Sequence, residues 1–163
     1  MSEEEPDLFA FDSGFRAECG VVCGIDEAGR GPLAGDVFAA AVIFDEGTVI
    51  EGINDSKKLT EKKREALFDE ICAKAKAYCI ASASVGEIEQ LNILQADFLA
   101  MQRAYNGLGM QAGIVLVDGN QLPQLDAEMK YVIKGDAKSA SIAAASILSL
   151  IHISEPTRPE PIS

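Results

Sequence analysis

Short apolar runs alternate with helical stripes along this chain, a pattern that predicts an α/β fold. Val21-Val22-Cys23 leads a first strand over residues 19–27, and residues 36–44 form a second, apolar on both faces and therefore central. The turn between them is short enough for an antiparallel hairpin. Behind Thr60, which caps a helix starting near Glu61, Leu67, Phe68, Ile71, Cys72 and Ala75 repeat at helical spacing. Residues 78–85 alternate as a third strand. Ile88, Leu91, Leu94, Phe98, Met101, Tyr105 and Leu108 then step by three and four, the core stripe of a helix or helix pair ending near Gly107 and Gly109. Residues 114–117 make a fourth strand, and the helix-length connection before it predicts a crossover to a parallel neighbour. A short fifth strand over residues 129–133 and a small-residue helix over residues 139–148 follow. Residues 1–16, with Pro6 and Asp12-Ser13-Gly14, read as a flexible acidic lead-in.

Two of these strands end in the same way. Val21-Val22-Cys23-Gly24-Ile25 delivers Asp26 and Glu27 to a turn, Gly29-Arg30-Gly31-Pro32, and Ile114-Val115-Leu116-Val117 delivers Asp118 to Gly119-Asn120. Lys134-Gly135-Asp136 adds a further carboxylate before the small-residue helix. Gly29 and Gly31 can turn successive N–H groups toward an anion or a sugar edge, and Arg30 adds a charged donor. The spacing to Gly35 misses the dinucleotide fingerprint by one residue, and no phosphate-loop Gly-Lys-Ser/Thr follows. Asn54-Asp55-Ser56-Lys57-Lys58 is a polar loop before a helix N-terminus, which suits a phosphate or a solvated surface equally.

The only histidine, His152, lies far from the acids in sequence, which excludes a histidine base. Clustered carboxylates need protons or a cation, and an all-oxygen set suits Mg²⁺ or Mn²⁺ rather than zinc. Two such ions clamp the oxygens of a phosphodiester in displacement. Strand alternation sends Asp26 and Glu27 to opposite faces, so Glu27 joins the set only if the strand has already turned.

With 163 residues, 48% of them hydrophobic, the chain suits one domain. Its charge of −12, from 26 acidic and 14 basic residues, argues against nucleic acid, although Lys57, Lys58, Lys62, Lys63 and Arg64 concentrate the basic charge. The spacing of Cys19, Cys23, Cys72 and Cys79 fits core thiols rather than a redox pair or zinc knuckle. The acidic start and the lack of a spanning apolar run give the expectation of a cytoplasmic chain with no membrane partner.

Five stretches, in order, resemble bacterial ribonuclease HII: residues 24–35, Asn54-Asp55-Ser56-Lys57-Lys58-Leu59, Leu91-Asn92-Ile93-Leu94, Val117-Asp118-Gly119-Asn120, and Lys134-Gly135-Asp136 with Ala144-Ala145-Ser146-Ile147-Leu148. The resemblance covers residues 19–148 and implies a ribonuclease H-like fold, a mixed five-stranded sheet flanked by helices. It implies an endonuclease, acting as a monomer, that cuts RNA in RNA–DNA hybrids and 5′ of single ribonucleotides in duplex DNA. By the same likeness Asp26, Glu27, Asp118 and Asp136 are the catalytic, metal-binding acids for Mg²⁺ or Mn²⁺. Gly29, Arg30 and Gly31 read the 2′-hydroxyl, and Asn54, Ser56, Lys57, Lys58 and Ser146 complete the substrate-binding set.

Beyond Leu148 the likeness stops. The family continues its helix and adds further helices with a tyrosine that stacks at the ribose; here Ser149-Leu150-Ile151-His152-Ile153-Ser154 runs into Pro156, Pro159 and Pro161. The expected organisation is therefore a lead-in over 1–16, an incomplete catalytic domain over 17–148 and an unrelated, disordered tail over 149–163. Tyr78, Tyr105 and Tyr131 lie in core-like patterns and do not replace the missing ring. A non-catalytic α/β module that binds phosphate or nucleic acid, and a fragment that does not fold alone, are the competing readings.

Overall fold

The computed structural model describes residues 8–28, 36–53 and 59–154. A helix α1 (Leu8–Cys19) precedes the hairpin β1 (Val22–Ala28) and β2 (Val37–Ile43). Then come α2 (Glu61–Lys74), β3 (Ala77–Ala83), α3 (Val85–Leu91), α4 (Ile93–Asn106), β4 (Ile114–Asp118), β5 (Met129–Val132), a single 3₁₀ turn at Gly135–Ala137, and α5 (Ala140–Ser154). The sheet order is β3-β2-β1-β4-β5. β1–β2 and β2–β3 are antiparallel, whereas β4 runs parallel to both β1 and β5. The mixed five-stranded sheet expected from the sequence is present.

Strand alternation divides the core between the two faces of the sheet. Cys23, Ile25, Val115 and Val117 pack with Ala96, Ala100, Met101 and Ala104 of α4. On the opposite face Ala40 and Val42 meet Phe68 and Ile71 of α2 and Ala144, Ile147 and Leu148 of α5, while Val22 and Leu116 meet Ile142. Each such large side chain taken out of water contributes about 1.5–3 kcal/mol. Gly24 permits a close approach: a Cβ there would overlap the backbone of Ser141 and Ile142, so α5 lies directly on β1.

Local signals start α2, α3 and α4. Thr60 accepts from the Lys63 amide at 3.1 Å, and Ser84 and Glu87 close a reciprocal capping box at α3. Asn92, at φ 84°, ends α3 and caps α4, which is why the continuous apolar stripe is broken into two helices.

Three expectations are corrected. The lead-in gives way to helix from Leu8, because Leu8 and Asp12, one turn apart, are both buried, and Phe11 and Phe15 pack on the core at Val22 and Leu116. The helix begun at Ala140 does not stop at Leu148 but runs to Ser154, since the apolar stretch continues and the first proline is Pro156. Tyr131 is exposed on β5, whereas Tyr105 is buried and its hydroxyl accepts from the Ala112 amide at 3.0 Å. No helix among the described residues is long and apolar enough to cross a membrane.

Candidate active site

Three elements deliver one carboxylate each to a common point. β1 and β4 are parallel neighbours with Ile25 beside Val117, so Asp26 and Asp118 arrive at the same level at their strands' C-terminal ends. This is where the chain direction of the sheet divides, toward β2 and β3 on one side and β5 on the other, the position at which open α/β sheets leave a crevice. Asp136 enters from the turn before α5. One carboxylate oxygen from each of the three lies within 4.8 Å of the others.

The backbone fixes this arrangement. Lys134 adopts the left-handed conformation at φ 56°, turning the Gly135 amide to donate to Asp118 Oδ1 at 2.7 Å. Gly135 is needed there, since a Cβ would lie 2.6 Å from Ile142 Cδ1 and 3.3 Å from Asp118 Oδ1. The Glu27 amide donates to Asp26 Oδ1 at 2.8 Å. Gly135 is the functional position that the sequence reading passed over. Its signal was available in the adjacent Lys134-Gly135-Asp136, where a glycine directly before an acid marks a close backbone approach.

Electrostatics mark the cluster as one that needs protons or a cation. Burial holds Asp26 well above the usual carboxylate range, and the negative charges of Asp118, Glu27 and Asp136 raise it further, as does a hydrogen bond with Asp118. Asp26 and Asp136 are buried, and Asp118 is half-buried. An anionic, all-oxygen donor set of this size fits a hard divalent cation such as Mg²⁺ or Mn²⁺.

Glu27 is not brought into this set. Strand pairing continues unbroken to Ala28 opposite Phe38, so β1 has not turned at Glu27 and alternation directs it to the other face. Ser146 is buried within α5, only 4% exposed. Gly29, Arg30 and Gly31, and Asn54, Ser56, Lys57 and Lys58, lie outside the described residues. All four cysteines are free thiols, Cys23 fully buried and the others partly so. Burial pushes the Cys23 thiol far up, consistent with an inert core position.

Comparison with known proteins gives a concordant result. The family profile described as Ribonuclease HII matches residues 23–152. Ribonuclease HII of Delftia acidovorans is 61% identical over 132 residues, covering 81% of this chain and 56% of the relative. That of Albidiferax ferrireducens is 59% identical over 133 residues, 82% of this chain and 64% of the relative. The chain thus spans less than two thirds of the length of these two relatives. Ribonuclease H2 from Pyrococcus horikoshii OT3 superposes with a TM-score of 0.72 at 26% identity, over 82% of this chain and 72% of that one. Bst-RNase HIII in complex with Mn²⁺ gives 0.71 at 17% identity over 83% and 52%, a likeness of fold.

Proposed function

The chain belongs to the ribonuclease HII family, and from that premise we propose that it carries the catalytic acids of a metal-dependent endoribonuclease. The observation that carries the reading is the convergence of Asp26, Asp118 and Asp136 from three elements to within 4.8 Å at the parallel strand ends. The substrate is RNA in an RNA–DNA hybrid, or a single ribonucleotide in duplex DNA.

In this reading Asp26, Asp118 and Asp136 would hold two Mg²⁺ or Mn²⁺ ions, while Glu27, directed to the other face of β1, stays outside the ligand set and acts on Asp26 through its charge. Bound ions supply Lewis acidity, activating water and neutralising charge that develops on the phosphodiester oxygens. The chain supplies position. Gly135 fixes Asp118 through its amide, and Glu27 fixes Asp26 through its own. Gly29, Arg30 and Gly31 recognise the 2′-hydroxyl, while Asn54, Ser56, Lys57 and Lys58 hold the strand and Ser146, buried in α5, does not reach it. Water forms a new P–O bond on the 5′ side of the ribonucleotide as the bond to the 3′ oxygen breaks, leaving 3′-hydroxyl and 5′-phosphate ends with no covalent enzyme intermediate.

The test is cleavage of a DNA duplex carrying one ribonucleotide, with Mg²⁺ or Mn²⁺, beside Asp118→Asn. A metal-dependent cut 5′ of the ribonucleotide, lowered at least about 100-fold in the variant, is expected. Hybrid binding without any cut by the folded chain would instead make it a non-catalytic binding module.

A further inference from the structure

Asp12 is a buried acid that the proposed chemistry does not use. It stands on α1, before the first residue of the family match, and is 0% exposed. Its partners lie at the other end of the chain. Asp12 Oδ1 accepts from the Ser139 hydroxyl at 2.6 Å, and Oδ2 accepts from the Ser141 amide at 2.8 Å and the Ser141 hydroxyl at 2.6 Å. Ser139 Oγ in turn accepts from the Ile142 amide at 3.2 Å. An acid from one helix thereby caps the start of another, a task normally done by a residue adjacent in sequence.

These bonds continue toward the carboxylates. The Ser139 amide donates to the Gly135 carbonyl at 2.8 Å, and the Gly135 amide donates to Asp118 Oδ1 at 2.7 Å. A second route is packing: Ser141, held by Asp12, lies so near Gly24, two residues before Asp26, that a Cβ at Gly24 would overlap its backbone. Asp136 lies inside the segment spanned by the first route, between Gly135 and Ser139. All three acids are thus tied to the position at which Asp12 fixes the α5 start.

We infer that Asp12 is a positioning residue for the divalent-cation site, acting through Ser139 and Gly135 on Asp118 and Asp136 and through Ser141 on Asp26. The inference rests on the cation-site reading above. A cation held by three oxygens tolerates little displacement, and groups that orient metal ligands typically influence affinity about 10–100-fold. α1 is accordingly part of the site's support.

The decisive experiment measures Mn²⁺ binding directly, by calorimetry on the 163-residue chain, for the unmodified protein, Asp12→Ala, Ser139→Ala and Asp26→Asn. Ile71→Val, a core change on the α2 side of the sheet, serves as the control for general loss of stability, with thermal midpoints recorded for all. Asp12→Ala is expected to weaken Mn²⁺ binding roughly 10-fold and Ser139→Ala several-fold, with Ile71→Val unchanged. Unchanged binding in folded Asp12→Ala, or an equal loss in Ile71→Val, overturns the inference. If Asp12→Ala does not fold, Ser139→Ala decides, since it removes one link while Asp12 keeps Ser141: weakened binding supports the inference and unchanged binding overturns it. Absence of Mn²⁺ binding by the unmodified protein, equal to Asp26→Asn, would sink the cation-site reading itself.

Discussion

Two buried aspartates in this molecule meet opposite surroundings. Desolvation raises both above the ordinary carboxylate range. At Asp12 the hydrogen bonds from Ser139 and Ser141 and the charge of Arg16 pull the other way, favouring the carboxylate. At Asp26 the charges of Asp118, Glu27 and Asp136 push in the same direction as burial. One acid has its counterparts built into the protein. The other sits among its own kind, an arrangement stable only with a proton or a cation. Burial alone therefore does not separate an acid whose charge the protein matches from one it opposes; the sign of its neighbours does.

The largest effect expected from breaking this contrast is at Asp26. Asp26→Asn removes one member of the like-charged set, so the metal-free protein should gain about 1–2 kcal/mol of stability. It should also lack the rise in thermal midpoint that Mg²⁺ or Mn²⁺ is expected to give the unmodified chain. Denaturation with EDTA and with added metal measures both. A variant less stable than its parent in EDTA would show that the acids are not opposed.

Proton linkage sharpens the same contrast. The folded-state pKa of Asp26 lies above its unfolded value, so its contribution to stability is fully present below about pH 4 and is lost as pH rises through the folded pKa. Without metal, stability should fall as pH rises from about 4 toward neutrality, in urea titrations with EDTA. Saturating Mg²⁺ should flatten or reverse that slope, because the cation competes with the proton.

The smallest effect lies at the surface. Arg103 Nη2 sits 2.6 Å from Glu87 Oε2 in an exposed pair, and hydrogen bonds from Arg103 and from the Ser84 amide lower Glu87 to about 2. The sign is opposite to that of Asp26: the stabilisation is present above the ordinary glutamate pKa and lost as pH falls toward about 2. Carboxyl NMR titration of Glu87, with and without Arg103→Ala, should show its midpoint return toward the ordinary value in the variant, with little change in thermal midpoint.

What the sequence made legible follows how far each signal reaches along the chain. The twin strands carrying Asp26 and Asp118 toward their ends were visible because apolar runs and following acids are local patterns, and the Thr60 cap was visible for the same reason. α1 was not. Asp12-Ser13-Gly14 has turn chemistry, and the serines that justify a buried Asp12 lie 127 and 129 positions away. Glu27 shows the intermediate case: alternation separated it from Asp26, and the strand's unbroken pairing to Ala28 decided that it stays on the other face. The extent of α5 was misjudged because Pro156, Pro159 and Pro161 were given weight over the apolar residues before them.

The span between Asp12 and Ser139 also bears on how the molecule comes into being. A ribosome releases α1 and the β1–β2 hairpin early, but the serines that receive Asp12, the helix that covers Gly24 and the turn that carries Asp136 are all translated after residue 134. Contacts so distant in sequence close a long loop and form slowly. Until then the early strands stay uncovered on the α5 side and Asp12 has no donors. The acid cluster thus cannot assemble until residues 135–141 have been translated, and a nascent chain arrested before α5 would expose a half-covered sheet suited to chaperone binding rather than to chemistry.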